Sequence, residues 1–205
     1  MEFLRFFLVV PLLWLALGAQ GQYSDAVLKA FESSYAAEKG GDFKKAASLL
    51  KNGYQENSYE YNLRLGWLSY KSGELAESEK YYRKALEILP YSEEARHGLI
   101  LPLTARGNWN EVIATYEKIL ENNPGSTVAL YRLGMVHYNR KEWSRAARHF
   151  QKVVDLYPFD YDGLLMLAWT SLQLGKAREA RILFNKVLLY SPGDKSALEG
   201  LSLIR

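Results

Sequence analysis

Two stretches of the sequence decide the fold. They are residues 59–92, YEYNLRLGWLSYKSGELAESEKYYRKALEILPYS, and residues 127–160, TVALYRLGMVHYNRKEWSRAARHFQKVVDLYPFD. Aligned without a gap, both place a Leu-Gly pair near the start, an aromatic residue in the second half and a proline near the end. The same residues at the same spacing indicate that the chain repeats a unit of 34 residues.

This period continues through most of the chain. Prolines recur at Pro90, Pro124, Pro158 and Pro192. Residue types that cap helix N-termini recur at Ser24, Ser58, Ser92, Ser126, Asp160 and Asp194. A turn glycine recurs near the middle of the units at Gly73, Gly107 and Gly175, with Lys141 in the remaining place. Because the apolar residues between these positions follow helical spacing, each unit is predicted to form two antiparallel helices of about 13 residues.

These units resemble the tetratricopeptide repeat. One unit contains Leu65-Gly66, Gly73, Ser78, Tyr82, Ala85 and Pro90, and another contains Leu133-Gly134, Ala146, Phe150, Val153 and Pro158. The resemblance covers residues 24–205 and implies an all-α, right-handed superhelical solenoid of antiparallel helix pairs. We expect five units at approximately 25–58, 59–92, 93–126, 127–160 and 161–194, followed by a capping helix at 195–205. In that helix Leu198, Leu201 and Ile204 are expected to cover the fifth unit, with Leu203 exposed.

Several positions depart from the family pattern. Ile100 replaces the small residue at which two helices approach closely, so the third unit is expected to be packed more widely. The glycines of the first unit, Gly40 and Gly41, come about two residues late, which predicts a longer first helix or turn. His137 stands at a packing position and is expected to be buried, whereas His149 is expected to face outward.

The N-terminus has the layout of a secretory signal peptide. Arg5 precedes an apolar run of 12 residues at 6–17, and small and polar residues follow it. The run is too short to span a hydrocarbon core of about 30 Å. We expect residues 1–21 to be a signal peptide, removed by cleavage after Ala19 or after Gly21, and the exported product to be periplasmic or secreted. The alternative, an N-terminal core helix, would place Pro11 in its middle.

Composition excludes several classes of function. The sequence of 205 residues contains no cysteine, which excludes disulfides, thiolate metal sites and cysteine nucleophiles. A net charge of +3 is too small to predict a nucleic-acid partner. The three histidines, His97, His137 and His149, fit no zinc motif, and no phosphate-binding or dinucleotide-binding loop occurs. We predict no enzyme activity, no metal and no cofactor. A hydrolase is the alternative, but no convergent residues support it.

The resemblance also implies a binding groove, because the first helices of tetratricopeptide repeats line a concave surface. The predicted groove residues are Leu63, Arg64, Trp67, Tyr70, His97, Leu101, Tyr131, Arg132, Met135, Tyr138, Leu165 and Trp169. Aromatic side chains bury a large area at little entropic cost, so we expect a protein or peptide ligand. The alternative for Trp67 and Trp169 is packing between neighbouring hairpins.

Charge is distributed unevenly along the chain. Residues 22–126 have a net charge of −2, and residues 127–205 have a net charge of +5. The second helices of the last two units are predicted to carry a basic stripe on the convex side, formed by Arg145, Arg148, Lys152, Arg178 and Arg181. The stripe is either a solvated surface or a docking site for an anionic lipid surface or an acidic partner.

Two functions of different classes follow from these patterns. The first is an exported scaffold that binds a protein or peptide segment in the groove and supports assembly of an envelope or secreted complex. The alternative is a structural subunit that forms homo-oligomers or docks on a membrane complex through the helix at 195–205 and the basic stripe.

Overall fold

The structure, a computed structural model, describes residues 23–204. The predicted signal peptide at 1–21 lies outside the described residues. Within that range the chain forms eleven α-helices and no strand. The helices are α1 Asp25–Lys39, α2 Phe43–Lys51, α3 Tyr59–Lys71, α4 Leu75–Ile88, α5 Glu93–Ala105, α6 Trp109–Asn122, α7 Thr127–Asn139, α8 Trp143–Leu156, α9 Tyr161–Gln173, α10 Ala177–Tyr190 and α11 Lys195–Ser202.

The helices belong to two compact units, divided after Tyr54. The first contains α1 and α2, which pack on each other around Ser34, Ala46 and Leu50. Its α1 has 15 residues, whereas the first helix of each later pair has 13. The late glycines therefore lengthen the first helix, as the sequence indicated.

The second unit contains α3 to α11. Consecutive helices pack on each other as the pairs α3–α4, α5–α6, α7–α8 and α9–α10, and α11 packs on α10. In addition α3 contacts α5 and α9 contacts α11, whereas successive second helices make no contact of that extent within residues 55–204. At this point of the stack α3 and α5 therefore approach each other more closely than α4 and α6 do.

The core of the second unit repeats with the sequence. Its first helices bury Leu65, Leu99, Leu133 and Leu167, and its second helices bury Tyr82, Tyr116, Phe150 and Phe184. Two glycines let these rings lie directly on a helix backbone. A Cβ atom at Gly134 would lie 2.6 Å from the Phe150 ring, and one at Gly200 would lie 2.1 Å from the Phe184 ring. Both distances are shorter than any real contact, so glycine is required there.

The starts of the first helices are fixed largely as predicted. Side chains at five of the six predicted caps accept a hydrogen bond from a backbone N–H three residues later: Ser24, Ser58, Ser92, Asp160 and Asp194. The prediction was wrong for Ser126, whose hydroxyl donates instead to Glu93 Oε1 at 2.9 Å.

Hydrogen bonds between successive helix starts explain this exception. Ser126 Oγ and Glu93 are 33 residues apart, and the same separation joins Tyr59 Oη to Ser92 Oγ at 2.7 Å. It occurs again between Tyr161 Oη and Asp194 Oδ2, also at 2.7 Å. In each case the first residue of one helix bonds the cap residue of the next first helix, so the contact fixes the stacking register.

The third helix pair is packed less tightly than the others. Helices α5 and α6 share a smaller contact surface than α3–α4, α7–α8 and α9–α10 do. Ile100 occupies the place of Gly66 and Gly134 and is itself buried. Since its side chain fills the space over which a ring lies in the other pairs, the wider packing expected from the sequence is found.

The turn between α7 and α8 adopts a backbone conformation that favours glycine. Lys141 has φ of 60°, and Gly73, Gly107 and Gly175 have φ of 74–82° at the equivalent turns. A lysine is accommodated there at a conformational cost of about 1 kcal/mol.

The last helix and the residues after it cover the fifth pair through Leu201 and Ile204, as expected, but not through Leu198. Ala197 and Ile204 are buried, and Gly200 lies on the Phe184 ring. Leu203 is exposed as predicted, but the prediction for Leu198 was wrong, because it is 49% exposed. At the same place in α7 and α9, Leu130 and Leu164 are buried beside a following second helix, and within residues 195–204 α11 has no such helix.

Candidate functional site

The predicted groove residues lie on α3, α5, α7 and α9, and we call these twelve side chains the inner face. Ten of them are half-buried: Leu63, Trp67, Tyr70, His97, Leu101, Tyr131, Met135, Tyr138, Leu165 and Trp169. Arg132 is exposed, and Arg64 is only 8% exposed. The inner face is therefore a set of apolar and aromatic side chains that keep part of their surface in solvent.

Trp67 lies near the beginning of the inner face. Its ring centroid is 6.2 Å from that of Tyr70, and the Lys71 ammonium lies 5.4 Å from the ring centroid, within cation–π distance. Trp67 and Leu63 also pack against the core that contains Leu99 and Leu133. The indole is thus supported on one side by the core and bordered on the other by a cation and a phenol.

Trp169 lies near the other end and is held by its neighbours. Its indole Nε1 donates a hydrogen bond to Ser196 Oγ at 2.9 Å, which ties α9 to α11. Its ring lies edge-on to Phe184, with the centroids 5.2 Å apart. Trp169 therefore contributes to packing between helix pairs, the alternative left open by the sequence, while remaining half-buried.

The middle of the inner face consists of Tyr131, Met135 and Tyr138 on α7, all of which pack against the last core cluster. Tyr131 lies 5.7 Å from Phe150 and Tyr138 lies 4.9 Å from Trp143, measured between ring centroids. Burial raises the pKa of Tyr138, and burial together with the Asp162 carboxylate raises that of Tyr131. Both phenols therefore stay protonated and can donate hydrogen bonds to a ligand.

His97 lies on α5 and, with Leu101, belongs to the inner face. Its Nε2 lies 3.5 Å from Glu93 Oε1, and its ring is edge-on to Tyr116. Partial burial opposes ionisation of Glu93, but hydrogen bonds from Ser126 and Asn123 lower its pKa. Glu93 therefore remains an anion that links His97 to the start of the following repeat.

The five residues of the predicted basic stripe are all exposed on the second helices. Arg145, Arg148 and Lys152 lie on α8, and Arg178 and Arg181 lie on α10. Arg145 Nη1 is 3.1 Å from Glu142 Oε2. Arg181 Nη2 donates to the backbone oxygen of Ile204 at 3.4 Å. The five basic residues thus lie at exposed positions of α8 and α10, whereas the inner-face residues lie on α3, α5, α7 and α9.

The two histidines of the fourth helix pair form a stacked pair. His137 is buried as predicted, and its Nδ1 donates to Glu142 Oε2 at 2.8 Å. The prediction that His149 faces outward was wrong. Its ring stacks on His137 with centroids 5.4 Å apart and planes within 3°, and its Nδ1 is buried without a hydrogen-bond partner.

Burial and neighbouring charges shift the pKa values of His149 and Glu142. Desolvation lowers the pKa of His149 to about 4, assisted by His137, Lys152 and Arg148. The hydrogen bond from His137 and the charges of Arg140 and Arg145 lower the pKa of Glu142. Within the part of the chain that the structure describes, no three His, Asp or Glu side chains converge as metal ligands would. The pair is a structural element of α7 and α8.

Sequence reasoning missed the apolar side chains that accompany the stripe. Leu156 on α8 and Ile182, Leu189 and Tyr190 on α10 are at least half exposed. The sequence spacing could have predicted them, because residues three or four apart share a helix face. Ile182 follows Arg178 by four residues, and Leu189 follows Lys186 by three. The basic surface is therefore mixed with apolar side chains.

Comparison with known proteins agrees with this architecture. A sequence profile for the tetratricopeptide repeat matches residues 59–92 and 128–160. A tetratricopeptide repeat protein from Parabacteroides merdae superposes with a TM-score of 0.74 at 22% identity, covering 87% of this chain and 72% of that one. MamA from Desulfovibrio magneticus RS-1 gives a TM-score of 0.70 at 18% identity, covering 84% of this chain and 98% of that one.

Two further relatives are more distant in sequence or much longer. YrrB, described as a TPR protein with an unusual peptide-binding site, gives a TM-score of 0.68 at 15% identity, covering 86% of this chain and 92% of that one. Protein CTR9 homolog from Arabidopsis thaliana is 23% identical over 135 residues, which is 65% of this chain. The chain spans 12% of the length of that relative.

Residues 59–92 and 128–160 are thus tetratricopeptide repeats, and the described part of the chain has the fold of tetratricopeptide repeat proteins. The expected all-α solenoid of helix pairs with a terminal helix is confirmed. At these identities the solved structures establish the fold, and the fold is that of a family of protein-binding scaffolds.

Proposed function

We propose that this protein is a non-catalytic scaffold whose inner face binds an extended or helical protein segment. The observation that carries the proposal is the half-buried row of aromatic and aliphatic side chains on the first helices. Such side chains are already partly immobilised by the core, so a ligand gains apolar contact area at a small cost in side-chain entropy.

The arrangement of the helices also supports the proposal that the inner face binds a ligand. Within the second unit α3 contacts α5 more extensively than α4 contacts α6, and α9 contacts α11. These contacts and the family resemblance support a stack that curves toward its first helices, and we infer that the inner face lies on its concave side, where a bound segment would contact several repeats. The peptide-binding site reported for YrrB belongs to a protein of the same fold.

Substitution on the inner face tests the proposal with peptides selected from a random display library against the unmodified chain. Trp67→Ala is expected to weaken peptide binding by about 1 kcal/mol or more, because the half-buried indole offers a large contact area. Trp109→Ala is the matched control, since Trp109 is 46% exposed on α6 and outside the inner face. Isothermal titration calorimetry measures both, and circular dichroism checks that the helices remain.

Two results would contradict the proposal. One is equal peptide affinity in Trp67→Ala and the unmodified chain, and the other is a library that yields no peptide ligand. Trp169→Ala is a poorer probe, because removing the indole also removes its hydrogen bond to Ser196 and its contact with Phe184.

We also propose that the scaffold is exported and supports assembly of an envelope or secreted complex. The apolar run at 6–17 and the small residues after it support export. N-terminal sequencing of the fractionated product tests this, with a new terminus after Ala19 or Gly21 expected. An intact N-terminus on the cytoplasmic product would contradict export.

Self-association is a second candidate function, favoured by the exposed Leu198 and Leu203 of the α11 segment. If these side chains are buried between two copies, the mass measured by light scattering is expected to rise with protein concentration. Leu198→Ser is expected to abolish this rise. A constant monomer mass would contradict it.

A further inference from the structure

A lysine recurs at the same place in four second helices, but its surroundings change along the chain. Lys84 Nζ lies 3.2 Å from Glu56 and 3.1 Å from Glu87, and Lys118 Nζ lies 2.7 Å from Glu121. Lys152 and Lys186 have no carboxylate within 4.0 Å among residues 23–204. Among the described residues, the second helices of the last two pairs therefore present lysines that form no ion pair with a carboxylate.

The neighbouring arginines extend this difference. Arg148 and Arg178 are exposed and likewise have no carboxylate within 4.0 Å in the described range. Asp155 on α8 is exposed and accepts a hydrogen bond from Gln151 Nε2 at 2.7 Å, and Glu179 on α10 is half-buried and lies 3.2 Å from Lys176 Nζ. By contrast α6 exposes three carboxylates, those of Glu111, Glu117 and Glu121. Within the second unit, α8 and α10 thus differ from α4 and α6 in carrying an excess of positive over negative side chains.

Apolar side chains share the surface with these cations. Leu189 is 75% exposed and occupies the place that Glu87 and Glu121 hold in the earlier pairs. Ile182 and Tyr190 are also more than half exposed on α10. Phe159, just after α8, is 54% exposed, with its ring centroid 5.3 Å from that of Tyr190. Exposed aliphatic and aromatic side chains therefore stand beside cations on one surface.

We propose that this surface, the outer face of α8 and α10, binds an anionic phospholipid bilayer. Lysine and arginine are attracted to the headgroup phosphates, and leucine, isoleucine and tyrosine enter the boundary between headgroups and acyl chains. No helix within residues 23–204 has the length and hydrophobicity to cross a bilayer. Contact through side chains on one face of a helix pair is peripheral and reversible.

A bilayer fits the arrangement better than an acidic protein does. The apolar side chains are spread between cations, with Leu156, Leu189 and Tyr190 near the helix ends. Ile182 lines a shallow, open depression of about 550 Å³ together with Arg178 and Glu179, and this depression is not a closed pocket shaped around a partner side chain. A bilayer requires no such shape complementarity, and the tyrosine at the end of α10 is a residue type enriched at membrane interfaces. The outer face and the inner face lie on different helices, so a bilayer and a protein segment can be bound together.

Co-sedimentation with vesicles tests the proposal. The chain from Gln22 onward contains all described helices and lacks the apolar run at 6–17, which would bind vesicles on its own. We expect binding to vesicles of phosphatidylglycerol mixed with phosphatidylcholine, weakened by added salt, and little binding to phosphatidylcholine alone. Equal binding to both vesicles, or binding to neither, overturns the proposal.

Matched substitutions locate the contact. Lys152→Gln and Lys186→Gln are each expected to weaken binding about fivefold. Lys84→Gln and Lys118→Gln alter the same place in the earlier pairs and are expected to leave binding unchanged. If all four variants bind equally well, the outer face of α8 and α10 is not the contact and the proposal fails.

The apolar contribution has its own control. Leu189→Ser is expected to weaken vesicle binding several-fold, whereas Leu89→Ser, at an exposed leucine just after α4, is not. Salt-sensitive binding to polyglutamate without binding to vesicles would overturn the proposal and assign the surface to an acidic protein.

Discussion

Arg96 shows how one residue can depart from the repeat pattern at a cost in stability. At the same place in the other pairs, Leu130 and Leu164 are fully buried, and Asn62 donates to two backbone oxygens at 2.7 and 2.8 Å. Arg96 Nη2 donates to the Pro90 oxygen, but its Nη1 is buried without a hydrogen-bond partner. The side chain lines a cavity of about 320 Å³ bounded by α4, α5 and α6.

We predict that Arg96→Leu raises the free energy of unfolding by about 1 kcal/mol. The substitution removes a buried unpaired donor and restores the residue type of the fourth and fifth pairs. Urea denaturation followed by circular dichroism measures the change, with Arg148→Leu at an exposed position as the control. A lower free energy of unfolding in Arg96→Leu would show that the guanidinium stabilises the third pair.

At the scale of the helices, the stacked histidines make the contact between α7 and α8 sensitive to pH. An unfolded histidine has a pKa near 6.5, whereas burial and the charges of His137, Lys152 and Arg148 lower that of His149 to about 4. Between these values the unfolded chain binds a proton that the folded chain does not. The free energy of unfolding therefore falls as the pH falls through this window, and His149 causes no such loss above it.

The expected slope from His149 is at most about 1.4 kcal/mol per pH unit, reduced by its partial exposure to solvent. Comparing urea denaturation at about pH 7 and about pH 5 measures it. His149→Leu is expected to lose part of the pH dependence, and His97→Gln, on the inner face, to keep it. The same pH dependence in His149→Leu and the unmodified chain would contradict the assignment.

The helices were predictable from the sequence because each signal recurs with the period. Caps, turn glycines and buried rings occur once per pair, so the pattern indicates both helices even where one position departs from it. The positions that depart from the pattern were not predictable, because their environment is set by contacts that do not recur in every repeat. Ser126 lost its cap role to the Glu93 carboxylate, and Leu198 is exposed because α11 has no second helix packed beside it in the described chain.

The candidate site was predictable to a smaller extent. The family resemblance placed the inner-face residues on the first helices, where the structure has them. It could not predict the hydrogen bond from Trp169 to Ser196, because that contact joins a repeat to the atypical last helix. Nor could net charge predict that Lys84 and Lys118 are paired while Lys152 and Lys186 are not, since pairing depends on which residues stand one turn away.

At the scale of the whole molecule, the second unit combines a repeated core with two surfaces of different composition. The repeated core consists of leucines and of aromatic rings that lie over glycines. Half-buried side chains of the first helices form the inner face. Cations without an ion-pair partner among the described residues, together with apolar neighbours, form the outer face of α8 and α10. Since no repeat contributes more than a few residues to either face, binding through a face requires several repeats stacked in register.

The most direct test of the central claim is photo-crosslinking of a library-selected peptide to the chain with p-benzoylphenylalanine at single positions. The account predicts a crosslink from position 138, on the inner face at Tyr138, and none from position 117, on the exposed side of α6 at Glu117. A crosslink from position 117 without one from position 138 would contradict it.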